Sequence, residues 1–150
     1  MKIFLGADHG GFAAKEEIKK RLTEWGYDFI DLGNKELDPQ DDYPDYGNAV
    51  AEKVAENPEE YRGILFCRSG VGMNIVANKV KGIRAVQVFD EKMAEASRRH
   101  DDTNILSLAA DYLTGEMMEK IVQVWLKTLF SGEERHVRRL NKIKELERSG

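Results

Sequence analysis

The sequence predicts an α/β protein, a doubly wound three-layer sandwich on a five-stranded parallel sheet. Three observations carry that prediction. Apolar periodicity alternates between strand and helix along almost the whole chain. Five strands can be counted, which implies a parallel sheet covered on both faces. The 150 residues show no internal repeat, low-complexity segment or linker, so residues 1–150 form one domain.

Ile3–Ala7 is the first strand, and Phe12–Trp25 follows as a helix. Phe12, Ile18, Leu22 and Trp25 share one face, and Gly26 stands where a C-terminal cap belongs. Tyr27–Leu32 is the second strand, Gly33–Pro44 an acidic loop, and Tyr46–Glu56 a helix stopped by Asn57-Pro58. Gly63–Cys67 is the third strand, with a short helix from Met73 to Val80. Ile83–Val88 and Asn104–Ala109 are further strands, separated by the helix Glu91–Arg99. The helices Glu116–Phe130 and Glu133–Arg148 close the chain. Right-handed crossovers place the strand carboxyl ends, and any site, along one edge. This is a Rossmann-like arrangement. The helix Met117–Phe130 is apolar on more than one stripe, with Met117, Ile121, Trp125 and Leu129 beside Met118, Val122 and Leu126. Such a helix packs against a second subunit or beneath the terminal helix, and the dimer is the preferred reading.

Composition excludes several function classes. A net charge of −4, with no basic stripe interleaved with aromatics, argues against a general nucleic-acid binder. No apolar stretch approaches the ~20 residues needed to cross a bilayer. The N-terminus reads as a strand and not as a signal peptide. A single cysteine rules out an internal disulfide and a Cys-based zinc site, and points to a reducing, cytoplasmic setting.

That cysteine is the most informative residue. Cys67 ends an apolar strand, Arg68 adjoins it, and Ser69-Gly70-Val71-Gly72 turns into an apolar helical pattern. A lone cysteine is ordinarily a small buried hydrophobe. Here the turn aims backbone N–H groups into one space at the positive end of a helix, which attracts anions. The same setting is expected to depress a thiol pKa from its free value of about 8.5. A nucleotide-binding role is disfavoured. No Gly-Lys-Ser/Thr follows the glycines, and Ile75 stands where a third glycine of G-x-G-x-x-G belongs. Met73 occupies the position of a cysteine-phosphatase arginine. A thiol hydrolase lacks a recognisable partner orienting a base.

Asp8-His9-Gly10-Gly11 follows the first strand, so it lies on the same edge as Cys67. An N-cap aspartate beside a solvated histidine is the plain alternative. His100 and Asp101 fall between a helix and the fifth strand, in what reads as a loop suited to acid–base residues. Arg135 and Arg139 are four apart on the last helix and can clamp one dianion, while Val137, Leu140 and Ile143 point toward packing. Glu36, Asp38, Asp41, Asp42 and Asp45 lack ligand periodicity and read as a solvated loop, with no metal site.

Taken together, these segments resemble the type B ribose-5-phosphate isomerase family and its hexose-phosphate relatives. The matching pieces are Gly6–Phe12, Asp42-Tyr43-Pro44-Asp45, Gly63–Cys67, Gly70–Met73, Ala77–Val80, Gly82–Ala85, the His100 segment and Gly132–His136. The resemblance implies cofactor-free interconversion of an aldose phosphate and a ketose phosphate through an enediolate. It makes Cys67 the base, His100 the residue that opens the sugar ring and Ser69 a proton carrier. The backbone from Ser69 through Gly70 and Val71 to Gly72 would hold the enediolate oxygens. Asp8 and Tyr43 would border the sugar, and His9, Arg135 and Arg139 would hold its phosphate. It also implies a homodimer, with pairs of dimers as the further option, in which residues 133–150 complete the partner's site.

Three positions depart from the family pattern. Arg68 replaces a usual glycine, Asp101, still counted with the sugar contacts, a usual asparagine, and Asp111 a common arginine. Asp111 weakens a dianion site, and Arg68 is expected to restore the charge from the other side of the pocket. Ribose 5-phosphate is the expected substrate. The alternatives are a six-carbon sugar phosphate and a non-catalytic sugar-phosphate sensor.

Overall fold

The computed structural model describes residues 1–150, and its element order is β1(Lys2–Ala7), α1(Phe12–Glu24), β2(Phe29–Asp31), α2(Tyr43–Ala55), β3(Tyr61–Cys67), α3(Val71–Ala77), β4(Ala85–Gln87), α4(Glu91–Asp101), β5(Ile105–Ala109), α5(Gly115–Lys127) and α6(Glu134–Ser149). All five strands are parallel, in the order β2-β1-β3-β5-β4. Strand order reverses between β1 and β3, the place where an open α/β sheet leaves a crevice at its carboxyl edge. Asp8 leaves β1 and Cys67 ends β3 at that point.

Central strands are buried on both faces, which explains the apolar runs of β1 and β3 and that of β5, broken only by Ser107. One face carries Leu5, Ile64, Phe66, Leu106 and Leu108 against α1, α4 and α5. The other carries Phe4, Leu65, Cys67 and Ile105 against α2 and α3. Gly6 and Gly63 let α2 sit close on the sheet: a Cβ at either would stand within 2.9 Å of Val50. No helix is long and apolar enough to cross a membrane.

The predicted elements are all present, with shifted bounds. β2 and β4 are three-residue strands, shorter than expected, because each is an edge strand with one neighbour. α2 starts at Tyr43, with Pro44 in its first turn, where proline's missing N–H costs nothing. α4 continues through His100 and Asp101, so these are helix residues and not loop residues, and Asp102 caps the helix in the left-handed region at φ 45°. The apolar stripes of α5 turn inward on α1, α4 and the sheet, burying Met118, Ile121, Val122, Trp125 and Leu126. Met117 and Leu129 stay exposed. The two-sided greasy helix is therefore satisfied within the chain, and α6 packs on α4 instead. On α6 Leu140 is buried, whereas Val137 and Ile143 are exposed.

Candidate active site

β3 delivers Cys67 to the carboxyl edge, and the chain must then reverse into α3. Gly70 makes that reversal with φ 77°, a conformation in which a side chain would also meet Gln87 at 2.9 Å. Buried Ser107 donates from Oγ to the Gly70 carbonyl at 2.7 Å, and Gln87 Nε2 donates to the Ser69 carbonyl, so the turn is held from β5 and β4. The Gly70 N–H donates to Cys67 Sγ at 3.1 Å, and the Val71 N–H to Ser69 Oγ at 3.3 Å. The turn thus aims donors at the sulfur itself, more than at an open cradle.

Cys67 is only 5% exposed, packed on one side by an apolar cluster. Burial pushes its thiol above the ordinary range; the N–H groups of Met73, Gly70 and Ser69 oppose this, and the Asp8 carboxylate adds to it. The expected depression of the thiol pKa is therefore corrected in sign. A helix N-terminus and an adjacent arginine did not outweigh desolvation. α3 has only seven residues, and the Arg68 guanidinium turns away to Asp111, 3.7 Å distant.

Asp8 and His9 stand beside this turn. Asp8 is buried, with its Oδ1 accepting the Gly11 N–H at 3.0 Å inside the turn before α1; Gly11 itself is the N-cap, so the aspartate braces the turn and does not cap the helix. His9 is fixed by a residue assigned above to a solvated loop. Asp41 Oδ1 accepts both the His9 N–H at 3.0 Å and His9 Nδ1 at 2.8 Å. Asp41 is buried, and Nε2 is the ring atom left open. Tyr43 lies across Gly72, where a Cβ would meet its ring at 2.7 Å. Asp8, His9, Tyr43, Cys67, Arg68 and the turn from Ser69 to Gly72 thus form one group.

His100, Asp101, Arg135 and Arg139 form another. α4 runs back from the carboxyl edge, so its C-terminal residues lie at the amino edge, where the Asp101 carbonyl accepts from Arg84 at 3.0 Å. The β3–β5 register runs from Gly63↔Ile105 to Cys67↔Ala109. That is roughly 13 Å of strand, and His100 lies beyond it. The Ser131 N–H donates to the Arg99 carbonyl at 3.1 Å, which seats the start of α6 on the end of α4. The His100 and His136 rings then lie 4.8 Å apart, tilted by 37°, and exposed Arg135 and Arg139 flank them. His136, which the sequence left without a role, is buried, and Ser131 Oγ meets its Nδ1 at 2.6 Å. Desolvation and the cations around it hold His136 below the ordinary imidazole value, against the Glu133 carboxylate. The predicted site residues therefore fall into two groups at opposite edges of one sheet.

A profile described as Ribose/Galactose Isomerase matches residues 3–143. The chain belongs to the ribose/galactose isomerase family. Ribose-5-phosphate isomerase B of Escherichia coli is 41% identical over 146 residues, 97% of this chain and 96% of that one. The crystal structure of ribose-5-phosphate isomerase B from Mycoplasma genitalium with bound ribulose-5-phosphate superposes with a TM-score of 0.96. It is 41% identical and covers 99% of this chain and 97% of that one. The Clostridium thermocellum ribose-5-phosphate isomerase B structure superposes at 0.94 with 44% identity, covering 99% of both chains. Membership makes the chain an enzyme, an aldose–ketose isomerase, on the five-stranded fold described above.

Within this isomerase Arg68 and Asp111 lie beside the Cys67 turn, and Asp101 lies beside His100. Arg68 is exposed, its aliphatic stem lying against Gly10. It forms an ion pair with Asp111 that is more than half exposed at the arginine. The two unusual charges beside the Cys67 turn thus neutralise each other in the resting chain. Asp101, in the other group, is exposed.

Proposed function

We propose that the enzyme interconverts ribose 5-phosphate and ribulose 5-phosphate through an enediolate, in sites each built from two subunits. Support comes above all from full-length similarity to ribose-5-phosphate isomerase B structures, one of which holds ribulose-5-phosphate. The opposite-edge placement of Cys67 and His100 argues for the shared site: one chain cannot bring both to one sugar, while a two-fold partner can. Residues 133–150 then carry Arg135 and Arg139 into the partner's site. The lone free thiol suits a reducing, cytoplasmic setting.

In this reading His100 of the partner subunit moves the proton that opens the furanose ring. The Cys67 thiolate takes the proton from C2 of the open aldose and returns it to C1. Few sulfurs are ionised at rest when burial raises the thiol. Each thiolate is a correspondingly stronger base, and general-base catalysis of this kind contributes about 10²–10⁴ in rate. The N–H groups of the Ser69–Gly72 turn face the charge as it passes from sulfur to the enediolate oxygens, with ~3 kcal/mol lost per donor removed. Ser69 Oγ carries the proton between O1 and O2. Asp8, Tyr43 and Asp101 border the sugar, and His9, Arg135 and Arg139 take the phosphate.

A six-carbon sugar phosphate is the second reading, resting on Arg68, Asp101 and Asp111, which depart from the family pattern. Incubation with pentose and hexose phosphates in deuterated water tests both. Ribose 5-phosphate should give ribulose 5-phosphate carrying deuterium at C1, with deuterium at C2 of the ribose 5-phosphate that re-forms, and Cys67→Ala should abolish ketose formation and exchange alike in a folded protein. Turnover of hexose phosphates alone selects the second reading. Binding without turnover selects a sensor, and full activity in Cys67→Ala refutes the assigned base.

A further inference from the structure

We infer that Asp41 is a positioning residue for the phosphate end of the substrate, acting through His9 and pinned in turn by Asn34 and the buried Lys15. The inference rests on the isomerase reading and extends it to residues outside both groups of predicted site residues.

Burying the Asp41 carboxylate carries a cost. Asp41 lies in an acidic segment running from Glu36 into the first turn of α2, where solvation is the cheapest state for a carboxylate. Yet its side chain is only 5% exposed. Both oxygens are engaged: Oδ1 takes two donors from His9, and Oδ2 takes Asn34 Nδ2 at 3.2 Å. The bonds from His9 come from its backbone N–H and its ring Nδ1, on one oxygen. That two-point hold fixes where the residue sits and how its ring is turned. With Nδ1 occupied, Nε2 is the atom offered at the Cys67 edge of the sheet.

The loop itself is tied down from beneath. Lys15 is fully buried on the sheet side of α1. Its Nζ donates to Asp31 Oδ1 at 3.0 Å and to the Asn34 carbonyl at 2.9 Å, and it lies 5.0 Å from the centre of the Phe12 ring. A buried ammonium is tolerated only when its donors are matched, as they are here. One of those acceptors is the backbone of the residue whose side chain holds Asp41. The sequence Lys15–Asn34–Asp41–His9 therefore runs without a break from the core to the site. A ring oriented in advance loses less freedom when an anion arrives, and that gain appears in binding more than in the chemical step.

The test compares Asp41→Ala and Asp41→Asn with wild type, reading KM and kcat on ribose 5-phosphate and the inhibition constant of inorganic phosphate. Asp41→Ala should raise KM and the phosphate inhibition constant about tenfold, the effect of one charge-assisted hydrogen bond, with kcat falling less than about twofold. Asp41→Asn keeps an amide oxygen for both His9 donors and should stay within about threefold of wild type. A loss of stability alone would shift melting and leave the phosphate constant in place. An unchanged phosphate inhibition constant in Asp41→Ala overturns the inference. If Asp41→Ala does not fold, Asn34→Ala carries the comparison, with a rise of about two- to threefold expected from one neutral donor and an unchanged constant again decisive. Absence of ribose 5-phosphate turnover in wild type would count against the isomerase reading instead. Phosphate affinity by calorimetry would then still decide the role of Asp41.

Discussion

Under the proposed function, Arg68 and Asp111 meet the incoming anion beside the Cys67 turn. They lie 3.7 Å apart in largely exposed surroundings, and pairs of that kind hold by only about 0.2–1 kcal/mol. A phosphate dianion competes for the guanidinium on better terms. Arg68→Gly is therefore expected to raise KM for phosphorylated sugars. Asp111→Asn, which frees the arginine, should lower it by about two- to fivefold. Steady-state kinetics of the two variants check this, and an unchanged KM in both removes the pair from substrate binding. The sequence made Cys67 and its turn legible, because a strand end and its glycines are local features. It misread the direction of the thiol shift, since the balance between desolvation and three N–H donors depends on burial. Asp41 was hidden as one acid among five, its partner His9 being 32 residues away. Lys15 left a trace that went unused: it precedes Ile18 by three and Leu22 by seven, the buried face of its own helix.

One tie between elements, Lys15 of α1 to Asp31 of β2, sets the acid response of that side of the molecule. Burial raises the Asp31 carboxyl, but hydrogen bonds from Lys15, Lys19 and the Gly33 N–H outweigh it and leave the pKa below its ordinary value. A carboxylate depressed in the folded state adds stability that is complete above the ordinary carboxylate range. That contribution is lost as pH falls through the folded value. Asp31→Ala, which strands the Lys15 ammonium, should cost about 3–5 kcal/mol near neutrality. The gap to wild type should narrow steadily below about pH 4. Urea unfolding at pH 7 and pH 3 measures it, and an equal gap at both would refute the coupling. At this scale the order and type of elements were readable from periodicity, and the edges were not. β2 and β4 were overestimated because a single neighbouring strand supplies their hydrogen bonds. α4 was cut short because His100 and Asp101 look like loop residues, although Asp102 is the cap.

For the molecule as a whole, the apolar surface of α5 pointed toward a second subunit for a reason the fold removes, because α1 and α4 already cover it. The sheet supplies a better reason. With Cys67 at one edge and His100 at the other, each variant Cys67→Ala and His100→Ala should be inactive alone. Mixing and re-forming dimers from equal amounts should restore about one quarter of wild-type sites, since random pairing puts one intact site in half of the dimers. Activity assays after subunit exchange check this, and no recovery would place both residues in a single-chain site. Alternation of strands and helices placed Asp8, His9 and Cys67 on one edge. Crossover direction decides that α4 returns His100 to the edge away from Cys67, and a reading confined to strand ends passed over it.

Under the proposed shared site, the placement of Cys67 and His100 on opposite rims of one sheet ties turnover to self-association. Catalysis per chain then depends on how concentrated the enzyme is, falling on dilution below the dissociation constant of the pair even while every protomer stays folded.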